Sequence, residues 1–118
     1  MARHGKNMKW TVDAAYREKV RALFVEALGV PHAAGGPPNL DLYKFEDGFQ
    51  IGVFCVPAEQ ALQPEDLRKA PWLELAVDDI EKTISKLKEL GVEEVEYVDK
   101  DHRYFAAPGG PVFRLAAG

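Results

Sequence analysis

The sequence is short of several features that would assign it at once. It has a single cysteine, Cys55, so no disulfide can form within the chain and a reducing, cytoplasmic compartment is expected. No stretch comes near the ~20 apolar residues of a transmembrane helix. The polar start Met1-Ala2-Arg3-His4-Gly5-Lys6-Asn7 lacks the apolar core of a signal peptide. Dense basic runs are missing too. The 15 Lys and Arg are scattered among 19 Asp and Glu, for a formal net charge of -4. Phosphate binding normally needs a basic face, so nucleic acid is not an expected partner, and neither is a membrane. Histidine is sparse: His4, His32 and His102 show no ligand spacing, and the last two fall in expected loops and read as surface residues.

What is there describes one modest globular core. The chain has 118 residues, 47% of them hydrophobic and 29% charged. Cys55 lies inside the apolar run Val53-Phe54-Cys55-Val56, where a thiol behaves as a small buried hydrophobe.

Hydrophobic periodicity places two helices. The first spans about Asp13 to Leu28, with Tyr16, Val20, Leu23, Phe24 and Ala27 on one face, Asp13 as N-cap and Gly29 past the end. The second spans about Asp79 to Leu90, with a stripe of Ile80, Ile84, Leu87 and Leu90. Asp78 followed by Glu81 reads as its capping box, and Gly91 ends it. A strand precedes each helix: Met8, Trp10 and Val12 alternate with Lys9 and Thr11, and Trp72 to Val77 forms the other. Strands follow each as well. In the first half these are a short edge strand near Pro31 to Ala34, then Asn39 to Phe45 and Phe49 to Val56 around a Glu46-Asp47-Gly48 turn. In the second half they are Glu93 to Val98, Arg103 to Ala107 and Val112 to Ala116.

The halves look like copies. Val12-Asp13 leads through a helix to Leu28-Gly29-Val30, and Val77-Asp78 leads through a helix to Leu90-Gly91-Val92. The expected fold is therefore α+β, one domain over residues 1–118. Unit one runs from about 8 to 56, a proline-marked linker from 57 to 71, and unit two from about 72 to 116. Each unit is β-α-β-β-β.

Two such units, with Pro71-Trp72-Leu73-Glu74-Leu75-Ala76-Val77-Asp78-Asp79-Ile80 and the turn Pro108-Gly109-Gly110-Pro111 before the last strand, resemble the vicinal oxygen chelate superfamily. That group contains glyoxalase I, bleomycin-resistance proteins and extradiol dioxygenases. The resemblance implies a curled mixed sheet around a concave pocket, helices on the outer face, and homodimers as the common assembly. It also implies a divalent metal in catalytic members, held by His, Gln or Glu on the first and last strand of each unit. The matching positions here are Lys9, Gly52, Trp72 and Arg114. Indole and glycine offer a metal no side-chain lone pair, arginine stays protonated, and lysine is normally charged. The expectation is a chain with no metal and no cofactor.

Alternation along the strands points Ile51, Val53, Leu73, Leu75, Phe113 and Leu115 at the helices. It leaves Lys9, Thr11, Gln50, Gly52, Phe54, Trp72, Glu74 and Arg114 to line the pocket, with Tyr43 and Tyr104 as further candidates. Aromatic walls with a few polar groups suit a small molecule. Trp72 can stack on a planar or cationic ligand, and Arg114 can grip a carboxylate with two prongs. Structural roles stand beside these: Trp72 as core or interface, and Arg114 with Glu74 as an ion pair. No catalytic residue is assigned. The expected function is metal-independent binding of a small, aromatic or antibiotic-like molecule. The alternatives are an enzyme of this fold (lyase, isomerase or dioxygenase type), with a metal site or with Glu74 as base, and a module whose cup only supports dimerisation.

Overall fold

The structure, a computed structural model, describes residues 1–118. It opens with β1 (Asn7–Asp13). Asp13 ends the strand by turning its carboxylate onto the Ala15 N–H at 2.9 Å, and a helical run begins there. The run is not one uniform α-helix as the periodicity predicts. It is a 3-10 turn (Ala14–Tyr16), then α1 (Arg17–Ala22), then a π turn (Leu23–Ala27). The wide last turn lets the consecutive residues Leu23 and Phe24 both bury completely. Tyr16, expected on the apolar stripe, is 37% exposed because the tight first turn carries it off that face.

Four strands complete the first sheet or start the second unit's approach: β2 (His32–Ala34), β3 (Leu40–Lys44) and β4 (Gln50–Val56), with β5 (Leu73–Val77) opening unit two. Between the units, residues 57–71 carry one 3-10 turn and the short α2 (Pro64–Leu67), with proline at its first position. The second helix, α3 (Ile80–Glu89), is capped one residue later than expected: Asp79, not Asp78, accepts from the Lys82 N–H at 3.0 Å. Strands β6 (Glu93–Val95), β7 (Arg103–Ala106) and β8 (Val112–Ala117) follow. β6 is three residues shorter than the expected Glu93–Val98, so Tyr97 and Val98 lie in the loop after it.

The two sheets repeat one order, β1-β4-β3-β2 and β5-β8-β7-β6. In each, the first strand runs parallel to the last and the others are antiparallel. The pattern is two tandem β-α-β-β-β units in a mixed-sheet α+β fold. The sheets do not close into a barrel, and β1 and β5 each form a free edge.

One hydrophobic core serves both units. It joins Trp10, Val12, Leu23, Phe24, Ile51 and Val53 of the first to Leu75, Ile84, Leu87, Phe105, Phe113 and Leu115 of the second. Helix α3 packs on the Leu23–Ala27 turn across the middle. The Pro108-Gly109-Gly110 turn closes the seam. Gly109 sits at φ 63°, and a Cβ on it would come within 2.7 Å of the Tyr16 ring, so only glycine fits there.

A buried carboxylate braces unit one. Asp41 on β3 is 2% exposed and faces the helix, not the open side its polarity suggests. Arg17 donates to it from Nε at 2.8 Å and from Nη2 at 2.9 Å, and His32 Nε2 lies 2.8 Å from its Oδ1. His32 is thus a half-buried residue of β2 tied to the sheet, not a loop surface residue. The same carboxylate holds Arg17 charged, and Cys55, 6% exposed, is buried beside it with its thiol pushed up by burial.

The Arg17 hydrogen bonds, helped by His32, hold Asp41 down at about 2 against the opposing effect of burial. Its ordinary value is 3.8. A depressed carboxylate stabilises the fold above the unfolded value and loses that contribution as pH falls through the folded one. Asp41 should therefore supply about 2 kcal/mol at pH 7 that disappears between about pH 4 and pH 2. Urea unfolding of Asp41→Asn should show that loss at pH 7 and a flatter decline in acid. An acid limb as steep as the parent's would contradict this role.

Candidate functional site

Burying one face of each sheet in the shared core leaves the opposite face open. In unit one that face carries Lys9, exposed, and Thr11, Gln50, Gly52 and Phe54, all half-buried. Parallel pairing sets Lys9 beside Gly52 and Thr11 beside Phe54, and Leu42 of β3 stands on the other side of Gly52. A Cβ on Gly52 would meet Leu40 and Leu42 at 3.5 and 3.7 Å, ordinary contact, so a methyl group would fit there. Tyr43 is not part of this face. It is fully buried on the helix side, stacked on Phe24 with ring centroids 4.3 Å apart.

The open face of unit two is more elaborate. Register places Glu74 opposite Arg114 and Tyr104 opposite Arg114 on the other side. The Arg114 guanidinium lies over the Trp72 ring, 4.5 Å from its centroid. Its Nε donates to Glu74 at 2.7 Å; its Nη1 donates to Asp99 Oδ2 at 3.2 Å and to the Tyr104 hydroxyl at 3.2 Å. Nη2 makes no hydrogen bond within the protein. Trp72 meets Tyr97 and Tyr104 edge-on at 6.5 and 5.7 Å, while those two tyrosines stack at 4.5 Å. Tyr104 is buried, whereas Trp72 and Tyr97 keep half-exposed ring surface.

Asp99 Oδ2 is the point where this network meets. It accepts from the Tyr104 hydroxyl at 2.9 Å and from Arg114, and His102 Nδ1 lies 2.8 Å away. Its other oxygen accepts from the Asp101 N–H at 2.9 Å. That backbone donor, with Tyr104 and His102, holds Asp99 at about 2. Asp99 is therefore ionised at any working pH. Desolvation is the main reason the Tyr104 phenol is raised, and Tyr104 and Glu74 both help keep Arg114 charged.

Of the eight expected lining residues, Trp72 and Glu74 each contact Arg114, and Lys9, Thr11, Gln50, Gly52 and Phe54 are neighbours by register. The two sets lie on separate sheets and share no hydrogen bond or ion pair. Neither of the two main cavities is lined by any of the eight. A cleft of about 360 Å³ lies at the seam under the linker, among Tyr16, Lys19, Leu62, Leu67, Arg68 and Gly110. Sequence reasoning missed Asp99 and Tyr97. An Asp-x-x-His spacing in the 99–102 turn was the available signal for the first.

At the positions where the resemblance implies metal ligands stand Lys9, Gly52, Trp72 and Arg114, side chains that do not suit a divalent ion, and no three His, Cys, Asp or Glu side chains converge as a metal-binding group.

The architecture is that of the vicinal oxygen chelate fold. Fosfomycin resistance protein FosX from Mesorhizobium loti superimposes with a TM-score of 0.73 at 14% identity, covering 100% of this chain and 94% of its own. A possible glyoxalase from Bacillus cereus gives 0.69 at 19% identity over 98% and 100%. The trypanothione-dependent glyoxalase I of Leishmania major gives 0.71 at 12% identity over 98% and 87%. No protein-family model and no curated protein sequence matches the chain. At these identities the likeness is one of fold. No helix is long and apolar enough to cross a membrane.

Proposed function

We propose that the chain is a small-molecule-binding protein of the glyoxalase and fosfomycin-resistance fold that takes an aromatic ligand, of an antibiotic-like kind, without a metal. The observation that carries this is the Trp72–Tyr97–Tyr104 ring cluster around a fixed Arg114 on an open sheet face. Half-exposed rings beside an oriented donor are the usual makings of a small-molecule site. Glu74 is a poor choice as a general base, since Arg114 Nε already occupies its carboxylate. Thr11, Gln50, Gly52, Phe54 and Lys9 supply a second surface for the same ligand.

In this reading a second copy brings that surface to the ring cluster. Strands β1 and β5 each end a sheet with their outer edge unpaired. A free edge strand is a template for pairing, and a homodimer would use both while setting one copy's unit one across from the other's unit two.

Two outcomes follow. Light scattering should give twice the 13.1 kDa chain mass, and a monomer at micromolar concentration would remove the shared-site part of the proposal. Trp72→Ala should weaken binding of a planar aromatic probe by about tenfold or more, with unfolding free energy reduced by only about 1–2 kcal/mol. Binding per folded molecule that survives the substitution would make Trp72 a structural residue.

A further inference from the structure

The bonding around Arg114 narrows the class of ligand, on the reading that the Trp72 face is the binding site. Arg114 is the one permanent cation bonded within the group, and two carboxylates are already bonded to it, Glu74 at 2.7 Å and Asp99 at 3.2 Å. The cluster thus carries one more negative charge than positive. A carboxylate, phosphonate or sulfonate approaching it is repelled by both carboxylates while the guanidinium attracts it, so little net attraction remains.

Geometry removes the two-pronged grip as well. Fork-to-fork recognition of an oxyanion uses two parallel N–H bonds from one edge of the guanidinium. The Nε is committed to Glu74, and Nη1 to Asp99 and the Tyr104 hydroxyl. What remains is Nη2, whose two N–H groups diverge and so make single bonds to acceptors such as a carbonyl oxygen or a ring nitrogen rather than a parallel pair. Trp72 and Tyr97 beside it offer ring surface whose faces favour positive charge.

We infer that the ligand is a planar ring system, either cationic and held by the rings and the excess carboxylate or neutral and read through a hydrogen-bond acceptor by Arg114 Nη2, and that Glu74 and Asp99 are the residues that reject anionic ligands. Asp99 does so from the turn after β6, where it also fixes the guanidinium against the Trp72 ring. The excess carboxylate stands ready to neutralise a ligand amine or ring cation.

The test uses three ring-matched acridines: proflavine as the cation, acridone as the neutral carbonyl compound, and acridine carboxylate as the anion. Quenching of tryptophan emission reports binding. The buried Trp10 is the only other tryptophan, and Trp72→Phe identifies its share. The expected result is saturable binding of proflavine and acridone, with the carboxylate weaker than proflavine by about tenfold at low salt. Glu74→Gln, at an exposed position, should narrow that gap, and Asp99→Asn should narrow it further if circular dichroism shows the fold intact. A carboxylate that binds as tightly as proflavine, in a manner lost on Trp72→Ala, would overturn the charge selectivity while leaving the site in place. Binding of none of the three, or binding indifferent to Trp72→Ala, would overturn the site itself and the inference with it.

Discussion

A four-stranded sheet backed by a single helix can bury only one of its faces. Here both sheets spend that face on the same core, Phe24 and Val53 from one side meeting Leu87 and Phe113 from the other. The consequence is geometric. The unburied faces turn outward, so residues there are free of packing duties and can be polar, aromatic or small as recognition requires. Lys9, Gln50, Gly52, Trp72 and Arg114 all stand on that free side. The period of two along each strand, set by the pleat, keeps the two roles apart residue by residue.

Within unit two, the open face would collapse into loose surface side chains without Asp99. Arginine has long, mobile torsions, and a guanidinium stacked on an indole at the surface is held weakly by that contact alone. A carboxylate pinned by the Asp101 N–H and the Tyr104 hydroxyl gives it a fixed anchor, and Glu74 gives a second from the neighbouring strand. The result is a preorganised donor between rings. Its cost is that most of its hydrogen-bonding capacity is spent inside the protein, which limits what it can offer a ligand. In unit one, Asp41 has a parallel structural task on the opposite side of the sheet, locking α1 to β3 and β2 through Arg17 and His32.

Much of this was legible in the sequence. The repeated valine–aspartate start and leucine–glycine–valine end of each helix marked the duplication. The alternation of Ile51 and Val53 with Gln50 and Gly52 fixed which face was which. Local pattern failed where geometry is not local. The pattern of Leu40-Asp41-Leu42-Tyr43 does not decide which set faces in. Asp41 and Tyr43 do, because Tyr43 fills the core and two arginines of the helical run satisfy Asp41 there. Asp99 read as a turn residue, since nothing adjacent to it in sequence announces an arginine on β8. The sharing of one core by both sheets was equally hidden, for strand patterning says which side is buried but not what it packs against. The change of helical pitch at Leu23 came from that same shared packing.

The central claim is that this site recognises its ligand with side chains alone, and metal content tests it most directly. Protein prepared without a metal-affinity tag would be dialysed against nickel, zinc, manganese and iron in turn and its metal measured by elemental analysis. Lys9, Gly52, Trp72 and Arg114 in place of ligands predict far less than one equivalent bound at micromolar metal, with ring-ligand binding unchanged by a chelator. Stoichiometric metal at that concentration, together with ligand binding that a chelator abolishes, would contradict the account.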